Sequence, residues 1–452
     1  MKKDILIKST SGIRGIVGQG LDPILTTQFA AAFGTFLNKG KVIIGRDSRP
    51  SGDMFLRSVA AGLAAVGCDV IDIGIVPTPT VAIAVKKLHA VGGVCVTASH
   101  NPAPWNALKL FNRTGEFIGP TEFRRFDRIL TKGRFDLKSA ATLGRISTQT
   151  GWIEEHIKLV LAAPGISRQA IRNRRFKVVV DAINGAGSSA LPELLQRLGV
   201  EVIRINCAGD GKFVHEPEPI PTNLRQLGQA VKKHRADLGL ACDPDADRLA
   251  LVDENGRAIG EELTLAIAIM PVLRQKTGAT VFNLSTSRVT ADVARSLGSK
   301  VFLSKVGEAN VVRMIRQKRA VIGGEGNGGV IYPACHAGRD SLVAAALVLT
   351  ALCQRRLSLA QMVETLPVYH AIKTKAALTP RFAKQLQGFG LEAAKLLGRV
   401  KVNRQDGLRF DFERGWLQIR TSNTEPIYRL IVETDDKRLT QQLVRQVSGY
   451  FK

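Results

Sequence analysis

The 452-residue chain reads as an α/β protein: three mixed α/β domains plus a C-terminal α+β domain, set around a central cleft. Three observations carry that reading. Apolar β-branched runs alternate with helix-like segments through the first three-quarters of the sequence, the pattern of α/β layers with largely parallel sheets. Polar motifs follow three of the strand-like runs directly, where open α/β sheets bind ligands. After Leu366-Pro367 the order of elements changes to that of a smaller α+β unit. A chain of this length also exceeds what one core can organise.

The elements follow in order. Val42-Ile43-Ile44 reads as a strand, residues 54–66 as a helix, and Val94-Cys95-Val96 as a strand that runs into Thr97-Ala98-Ser99-His100-Asn101-Pro102. A polar stretch at residues 144–150 closes a first domain, 1–150. Val178-Val179-Val180, Val202-Ile203-Arg204-Ile205 and Leu238-Gly239-Leu240-Ala241 are the strands of a second, 151–254, with a helix at 191–198 and the turn Asp253-Glu254-Asn255-Gly256 at its end. The third, 255–367, holds Gly324-Glu325-Gly326-Asn327-Gly328-Gly329 and a helix at 341–352. The fourth, 368–452, has a helix at 380–397, strands at 408–412, 416–419 and 428–432, and a last helix from Lys437. No sequence repeat is visible, so any repetition is one of architecture.

Composition narrows the function classes. Lys plus Arg number 64 against 39 Asp plus Glu, a net charge of +25. That excess is scattered. Its densest cluster, residues 172–177, holds the single aromatic Phe176 rather than an interleaved set, and aromatics are only 6% of the chain, so no stacking platform for nucleic acid is visible. A basic surface that draws in anionic substrates is the reading preferred over a nucleic-acid partner. The six cysteines form no C-x-x-C pair and sit among apolar or small residues, which fits reduced, mostly buried thiols and no zinc cluster. The apolar run Ile5-Leu6-Ile7 is broken at once by Lys8, so no secretory signal is visible. The apolar stretches 263–273 and 342–353 are too short to span a bilayer and read as buried helices. A cytoplasmic protein without a membrane partner is expected.

The motifs carry the chemistry. Ser99 lies between a strand and a Pro-containing loop, with His100 beside it and Lys109 ten residues on. It is a nucleophile only if something activates it. Asp243, Asp245 and Asp247 alternate, so in an extended loop their carboxylates converge on one point. Three oxygen anions so placed suit Mg²⁺ and would repel one another without a cation. An EF-hand is excluded, because Arg248 stands where the loop needs Gly and strands flank it. The Gly324 loop pairs flexible backbone with one carboxylate, Glu325. Arg420-Thr421-Ser422-Asn423-Thr424-Glu425-Pro426 offers a guanidinium, small polar side chains and backbone N–H groups, a composition that grips phosphate. Ser9-Thr10-Ser11-Gly12-Ile13-Arg14-Gly15 and Gly45-Arg46-Asp47-Ser48-Arg49 are similar polar turns. Gly185-Ala186-Gly187-Ser188-Ser189-Ala190 competes as a G-x-G-x-x-A dinucleotide fingerprint and an NAD-dependent oxidoreductase. Residues 181–184 separate it from its strand, and the next strand ends at Asn206 with no carboxylate for a ribose.

Taken together, these motifs resemble the α-D-phosphohexomutase superfamily, which includes phosphoglucosamine mutases and phosphomannomutase/phosphoglucomutases. The resemblance covers essentially the whole chain. It implies an isomerase with a phosphoserine at Ser99, and Mg²⁺ held by Asp243, Asp245, Asp247 and the phosphoserine. Arg248 and Arg14 would sit beside the reacting phosphate, with His100 and Lys109 as general acid and base. Glu325 and Asn327 would lie in the sugar loop, and Arg420, Ser422, Asn423 and Thr424 on the non-reacting phosphate. The implied reaction interconverts hexose 1- and 6-phosphates through a 1,6-bisphosphate, which also serves as activator. Asn327 and Gly329 stand where many members carry Ser and His; His336 is a candidate substitute. The Gly-Glu-Gly-Asn-Gly-Gly form resembles a branch often assigned as phosphoglucosamine mutase, with glucose and mannose phosphates as alternatives. A monomer or homodimer is expected, with a hinge at residues 366–371 that lets the fourth domain close over the sugar.

Overall fold

The computed structural model describes residues 6–10, 12–421 and 427–451. The strands of the described residues form four sheets, and the first three share one plan. Cys68–Ile75, Gly40–Arg46 and Gly92–Val96 lie parallel in that spatial order, and Trp105–Asn112 closes antiparallel on Gly92–Val96. In the second sheet Glu201–Ile205, Lys177–Asp181 and Leu238–Cys242 are parallel and Leu249–Asp253 is antiparallel. In the third, Val301–Ser304, Thr280–Asn283 and Ile322–Glu325 are parallel and Gly329–Ile331 is antiparallel. The repetition is of architecture. The loop that leaves the carboxyl end of the third parallel strand carries, in turn, Ser99, the three aspartates and Asn327.

Burial explains the strand sequences. Val178, Val179 and Val180 are all fully buried. Val178 and Val180 face helices Trp152–Ala162 and Gly187–Arg197, while Val179 packs toward helix Arg225–His234 on the other face. A strand covered on both sides is apolar throughout rather than alternating. The two long apolar stretches are the buried helices Glu261–Gln275 and Ser341–Arg355. They pack on each other within one continuous core that reaches Leu240 and Leu251 of the second sheet and Phe282 and Ile322 of the third. The second and third α/β units therefore share a core. No helix among the described residues is long and apolar enough to cross a membrane.

The fourth unit has its own core. Its five-stranded antiparallel sheet runs His370–Ala377, Ile427–Thr434, Gly415–Thr421, Leu408–Phe412, Lys401–Asn403. Phe410, Leu417, Leu430 and Val432 pack on one face beneath helices Phe382–Leu397 and Lys437–Tyr450. Gln418 and Trp416 lie buried on the other, where the sheet docks on the third unit: Ser285 Oγ donates to Gln418 Oε1 at 2.7 Å and the Val306 N–H to Asp406 Oδ2 at 2.9 Å. Strand His370–Ala377, a half-exposed edge strand rich in polar residues, has no counterpart among the strands expected from the sequence. It also bounds the segment between the third and fourth units. His370 and Ala371 are paired with Thr434 and Glu433, and Leu366 is buried in the shared core, so the crossing shrinks to residues 367–369. Residues 253–256 do form a turn, whose return leg at Ala258 bridges back to Val252. Glu254, the residue tested against an EF-hand, instead binds Ser358 Oγ and the Ala360 N–H.

Candidate active site

The serine loop begins where strand Gly92–Val96 ends. Ser99 is buried and adopts the left-handed conformation, φ +49°, which aims its hydroxyl out of the loop. Its Oγ donates to Asp243 Oδ2 at 2.7 Å, and His100 Nδ1 lies 3.5 Å away. Beneath the loop sits Arg49, without exposure. Its guanidinium donates to the carbonyls of Ser99 (2.7 Å), Asn101 (2.6 Å), Pro102 (2.9 Å) and Trp105 (3.0 Å), and its Nε to Asp47 Oδ2 (3.0 Å). The Thr97 hydroxyl donates to the same Asp47 oxygen at 2.6 Å. One planar cation thus fixes four backbone carbonyls at once. Of the Gly45–Arg49 stretch, read from sequence as a polar turn with arginines at the cleft or in surface salt bridges, Gly45 and Arg46 end strand Gly40–Arg46, and Asp47 and Arg49 are the foundation of the serine loop.

The aspartate loop converges on the serine. Asp243, Asp245 and Asp247 are buried, with ligand atoms all within 4.8 Å of one another. Ala246, at φ +53°, makes the bend that turns alternate residues inward. Asp243 Oδ1 accepts the N–H groups of Asp247 and Arg248, both at 3.1 Å. Asp245 Oδ2 accepts from the Thr78 hydroxyl and from Lys109 Nζ. Asp247 Oδ2 accepts from Lys109 Nζ at 3.0 Å and from Arg339 Nη2 at 2.7 Å. That leaves Asp245 Oδ1 and Asp247 Oδ1 buried with no hydrogen-bond partner. Two orphaned anionic oxygens beside Asp243 and the Ser99 hydroxyl fit a hard divalent cation that takes oxygen ligands, so the residues present suit Mg²⁺.

The electrostatics divide along the loop. Burial, with the charges of Asp247 and Asp245, pushes Asp243 well above the usual carboxylate range. Burial also works against ionised Asp247, but Arg339, Lys109 and Arg248 outweigh it and hold its carboxyl below that range. For Lys109, burial is overcome by Asp245 and Asp247, which keep the ammonium charged. Burial and then Arg248 and Arg14 hold His100 well below its ordinary value, as a neutral imidazole. Burial and then repulsion from Arg248 and Arg339 lower Arg14, whose Nη1 donates to Asn101 Oδ1 at 3.2 Å and whose Nε is unpartnered. Arg248 Nε is likewise without a hydrogen bond, 3.8 Å from Asp247 Oδ1. Cationic groups with unused donors around a nucleophile form a place for phosphate.

The third and fourth units face this centre. Glu325 is buried, and its carboxylate is well occupied: Oε1 accepts from Asn283 Nδ2 (2.8 Å) and the Gly307 N–H (2.9 Å), Oε2 from Arg339 Nη1 (3.1 Å). Asn327 Oδ1 accepts the Gly329 N–H at 3.2 Å. Arg420 lies near the end of strand Gly415–Thr421 with its Nε unpartnered, and burial lowers it while Asp406 and, more weakly, Glu325 oppose that. Ser422, Asn423 and Thr424 lie outside the described residues.

Two residues escaped the sequence reading. Arg339 joins the aspartate loop and the Gly324–Gly329 loop, holding Asp247, Glu325 and, through Nε at 2.9 Å, Glu308. No local motif marks it; its partners are remote in sequence. Arg49, although part of a turn noted for its polarity, carries no signal that its guanidinium is buried under the serine loop. His336, the candidate substitute for a sugar-loop histidine, lies four residues before Asp340 and against it. It is buried with Nε2 3.0 Å from Asp340 Oδ2. The dinucleotide fingerprint is also accounted for. A Cβ on Gly185 would lie 2.6 Å from the Pro244 carbonyl oxygen, and one on Gly187 2.5 Å from Cys242 Sγ. These glycines let helix Gly187–Arg197 start against the aspartate loop, and the space a pyrophosphate needs is filled by protein.

Comparison with known proteins covers nearly the whole length of the chain. Residues 6–136, 154–256 and 261–369 match the models for phosphoglucomutase/phosphomannomutase α/β/α domains I, II and III, and residues 380–449 match the C-terminal domain of the same family. A phosphoglucomutase/phosphomannomutase of Thermococcus kodakarensis is 35% identical over 440 residues, covering 96% of this chain and 95% of that one. A probable phosphoglucosamine mutase of Pyrococcus abyssi is 35% identical over 449 residues, covering 98% and 97%. The crystal structure of a phosphoglucomutase/phosphomannomutase family protein from Burkholderia thailandensis superposes with a TM-score of 0.85 at 27% identity, covering 97% of this chain and 95% of that one.

Proposed function

Because this chain belongs to the phosphoglucomutase/phosphomannomutase family and is a phosphohexomutase, we propose that Ser99 carries the phosphoryl group it transfers and that hexosamine phosphates are its preferred substrates. The observation that carries the proposal is the Ser99 hydroxyl, 2.7 Å from Asp243, beside the two unpartnered oxygens of Asp245 and Asp247. Phospho-Ser99 gives its phosphoryl group to a free hydroxyl of a hexose monophosphate: the Ser Oγ–P bond breaks, the sugar O–P bond forms, the sugar hydroxyl's proton passes to the neutral His100 imidazole, and the Ser99 oxygen is protonated by the Lys109 ammonium. The resulting 1,6-bisphosphate reorients, and its other phosphate returns to Ser99. Asp243, Asp245, Asp247 and the seryl phosphate would hold Mg²⁺, which when bound neutralises charge on the transferring group.

The chain's own residues supply the rest. Arg248 and Arg14 bind the phosphate in transfer, with His100 as general base and Lys109 as general acid. Arg420, with Ser422, Asn423 and Thr424, grips the phosphate that does not react, so one site serves both sugar orientations. Glu325 and Asn327 border the sugar. Closure of the fourth unit about residues 367–369 excludes water, which would otherwise hydrolyse the phosphoserine. Domain limits at 150, 254 and 367, a cytoplasmic location, a monomer or homodimer, and activation by hexose 1,6-bisphosphate complete the proposal. The hexosamine preference is supported by the form of the Gly324–Gly329 loop and by the relative named as a probable phosphoglucosamine mutase.

The test compares glucosamine, glucose and mannose 1-phosphates with purified protein, Mg²⁺ and a trace of the matching 1,6-bisphosphate. The expected outcome is glucosamine 1-phosphate turned over with the highest kcat/KM. Equal or better turnover of glucose or mannose 1-phosphate would overturn the substrate assignment while leaving the phosphoserine chemistry intact.

A further inference from the structure

One buried cluster lies just behind the site and takes no part in the chemistry above. His156, on helix Trp152–Ala162, has no exposure and both ring nitrogens engaged: Nδ1 lies 2.9 Å from Thr80 Oγ1 and Nε2 2.8 Å from Asp340 Oδ2. His336 Nε2 meets the same Asp340 oxygen at 3.0 Å, and Asp340 Oδ1 accepts the N–H groups of Leu342 (2.8 Å) and Val343 (3.3 Å) at the start of helix Ser341–Arg355. Asp340 thus has four donors on two oxygens, and burial, which opposes its charge, is outweighed by the two histidines. A carboxylate satisfied in this way needs no metal ion, although two histidines and an aspartate converge on one point.

What the cluster does follows from its neighbours. Thr80 lies in the first turn of helix Thr78–Lys87, and Thr78 at its start donates its hydroxyl to Asp245 Oδ2 and its N–H to the Asp245 carbonyl at 2.9 Å. Asp340 is flanked by Arg339, which holds Asp247 Oδ2, and by Ser341, whose hydroxyl donates at 2.7 Å to the carbonyl of Ala246. One imidazole therefore links two grips, one from the first α/β unit on Asp245 and one from the third on Asp247. Each grip takes the Oδ2 atom and leaves Oδ1 unpartnered.

We propose that His156 is a positioning residue for the cation site: by bridging Thr80 and Asp340 it sets the spacing of the Thr78 and Arg339 grips, and so the separation of the two free aspartate oxygens. This rests on the reading of Asp243, Asp245 and Asp247 as cation ligands. Groups that hydrogen-bond to metal ligands, as Thr78 and Arg339 do to these aspartates, typically change metal affinity or activity about 10–100-fold when removed, and His156 acts through both of them.

The test measures Mn²⁺ binding to the full-length protein by calorimetry and electron paramagnetic resonance, with melting temperature and steady-state kinetics in parallel. His156→Leu removes both contacts. His156→Gln keeps a donor near Asp340, His156→Asn keeps a partner near Thr80, and Thr80→Val removes only the Nδ1 contact. The expected result is Mn²⁺ affinity about 10–100-fold weaker in His156→Leu and intermediate in the other three, with kcat at limiting metal falling in parallel and the KM for sugar phosphate unchanged. If His156→Leu does not fold, the graded loss of affinity across His156→Gln, His156→Asn and Thr80→Val tests the proposal in its place. Variants that melt earlier yet bind Mn²⁺ as the parent does would overturn the proposal and leave His156 a structural residue. A parent protein that binds no Mn²⁺ would instead sink the cation reading beneath it.

Discussion

Arg49→Met is the sharpest perturbation the structure offers. The side chain is unexposed and supplies donors to Asp47 and to four carbonyls, those of Ser99, Asn101, Pro102 and Trp105. Methionine fills much of the volume but supplies no donor. Asp47 is then left buried with only the Thr97 hydroxyl and the backbone N–H of residue 49, and breaking one side of such a pair costs about 3–5 kcal/mol. The four carbonyls also lose the guanidinium, the Pro102 carbonyl keeping the Trp105 N–H at 3.0 Å, so the serine loop is no longer fixed from beneath. A displacement of the reacting group by about 1 Å costs roughly 10²-fold in rate. Arg49→Lys should fall between, because one ammonium cannot span the fork. The assays are mutase kinetics, phosphate on Ser99 by intact-protein mass spectrometry after incubation with a hexose 1,6-bisphosphate, and thermal melting. We expect kcat to fall about 100-fold with the sugar-phosphate KM little changed, since the proposed phosphate grip belongs to another unit. Adding Asp47→Asn to Arg49→Met should recover about half of the lost stability, by removing the unpaired charge, but not kcat. Wild-type kcat with full Ser99 phosphorylation in Arg49→Met would refute the reasoning.

Other outcomes follow from the same geometry. Chelation of divalent cations should abolish turnover, with recovery on adding Mg²⁺, and Asp245→Asn should raise the Mg²⁺ needed for half-maximal activity at least about tenfold, read by metal titration. Gly328→Ala should impair sugar binding more than stability. Gly328 sits at φ +82°, and a Cβ would press on the Leu249 carbonyl that bounds the aspartate loop, so KM should rise about tenfold in steady-state assays. Burial, opposed by Lys373, raises the Glu262 carboxyl to about 7, where it meets Lys373 Nζ and the Ser287 N–H beneath the docked fourth unit, with Glu261 and Glu433 nearby. The folded protein then binds more protons than the unfolded chain between the ordinary glutamate value and about 7. Its contribution to stability is full below that window and is lost as pH rises through it, by up to about 1.4 kcal/mol per pH unit. Melting curves from pH 5 to about 8 should show this slope in the parent and a flatter one in Glu262→Gln.

The fold was legible because its strands are covered on both faces. A run such as Val178-Val179-Val180 has no polar member to confuse the reading, and the loops that follow such strands carry their chemistry in consecutive residues. Ser99 and the aspartates lie where the sequence puts them, at the same place in sheets of the same plan. What the sequence conceals is long-range pairing. Arg339 and Asp247 are 92 residues apart, and His156 and Asp340 are 184 apart. No spacing rule links either pair, yet one holds Asp247 itself and the other lies behind the three aspartates. Glu325 illustrates the converse: its place in the loop was visible, but not that Asn283, Gly307 and Arg339 already occupy its carboxylate. Strand His370–Ala377 was missed because an edge strand with Lys373 and Lys375 lacks the apolar signature of its neighbours.

The central claim is that Ser99 carries the transferred phosphoryl group. The most direct measurement incubates the protein with Mg²⁺ and a hexose 1,6-bisphosphate labelled in its phosphates, maps the label by peptide mass spectrometry, and then chases it with unlabelled hexose 1-phosphate. The account predicts label on Ser99 alone, its passage into hexose 6-phosphate at the rate of turnover, and no labelling or turnover in Ser99→Ala. Label on another residue, or interconversion of the sugar phosphates by Ser99→Ala at the parent rate, would contradict it.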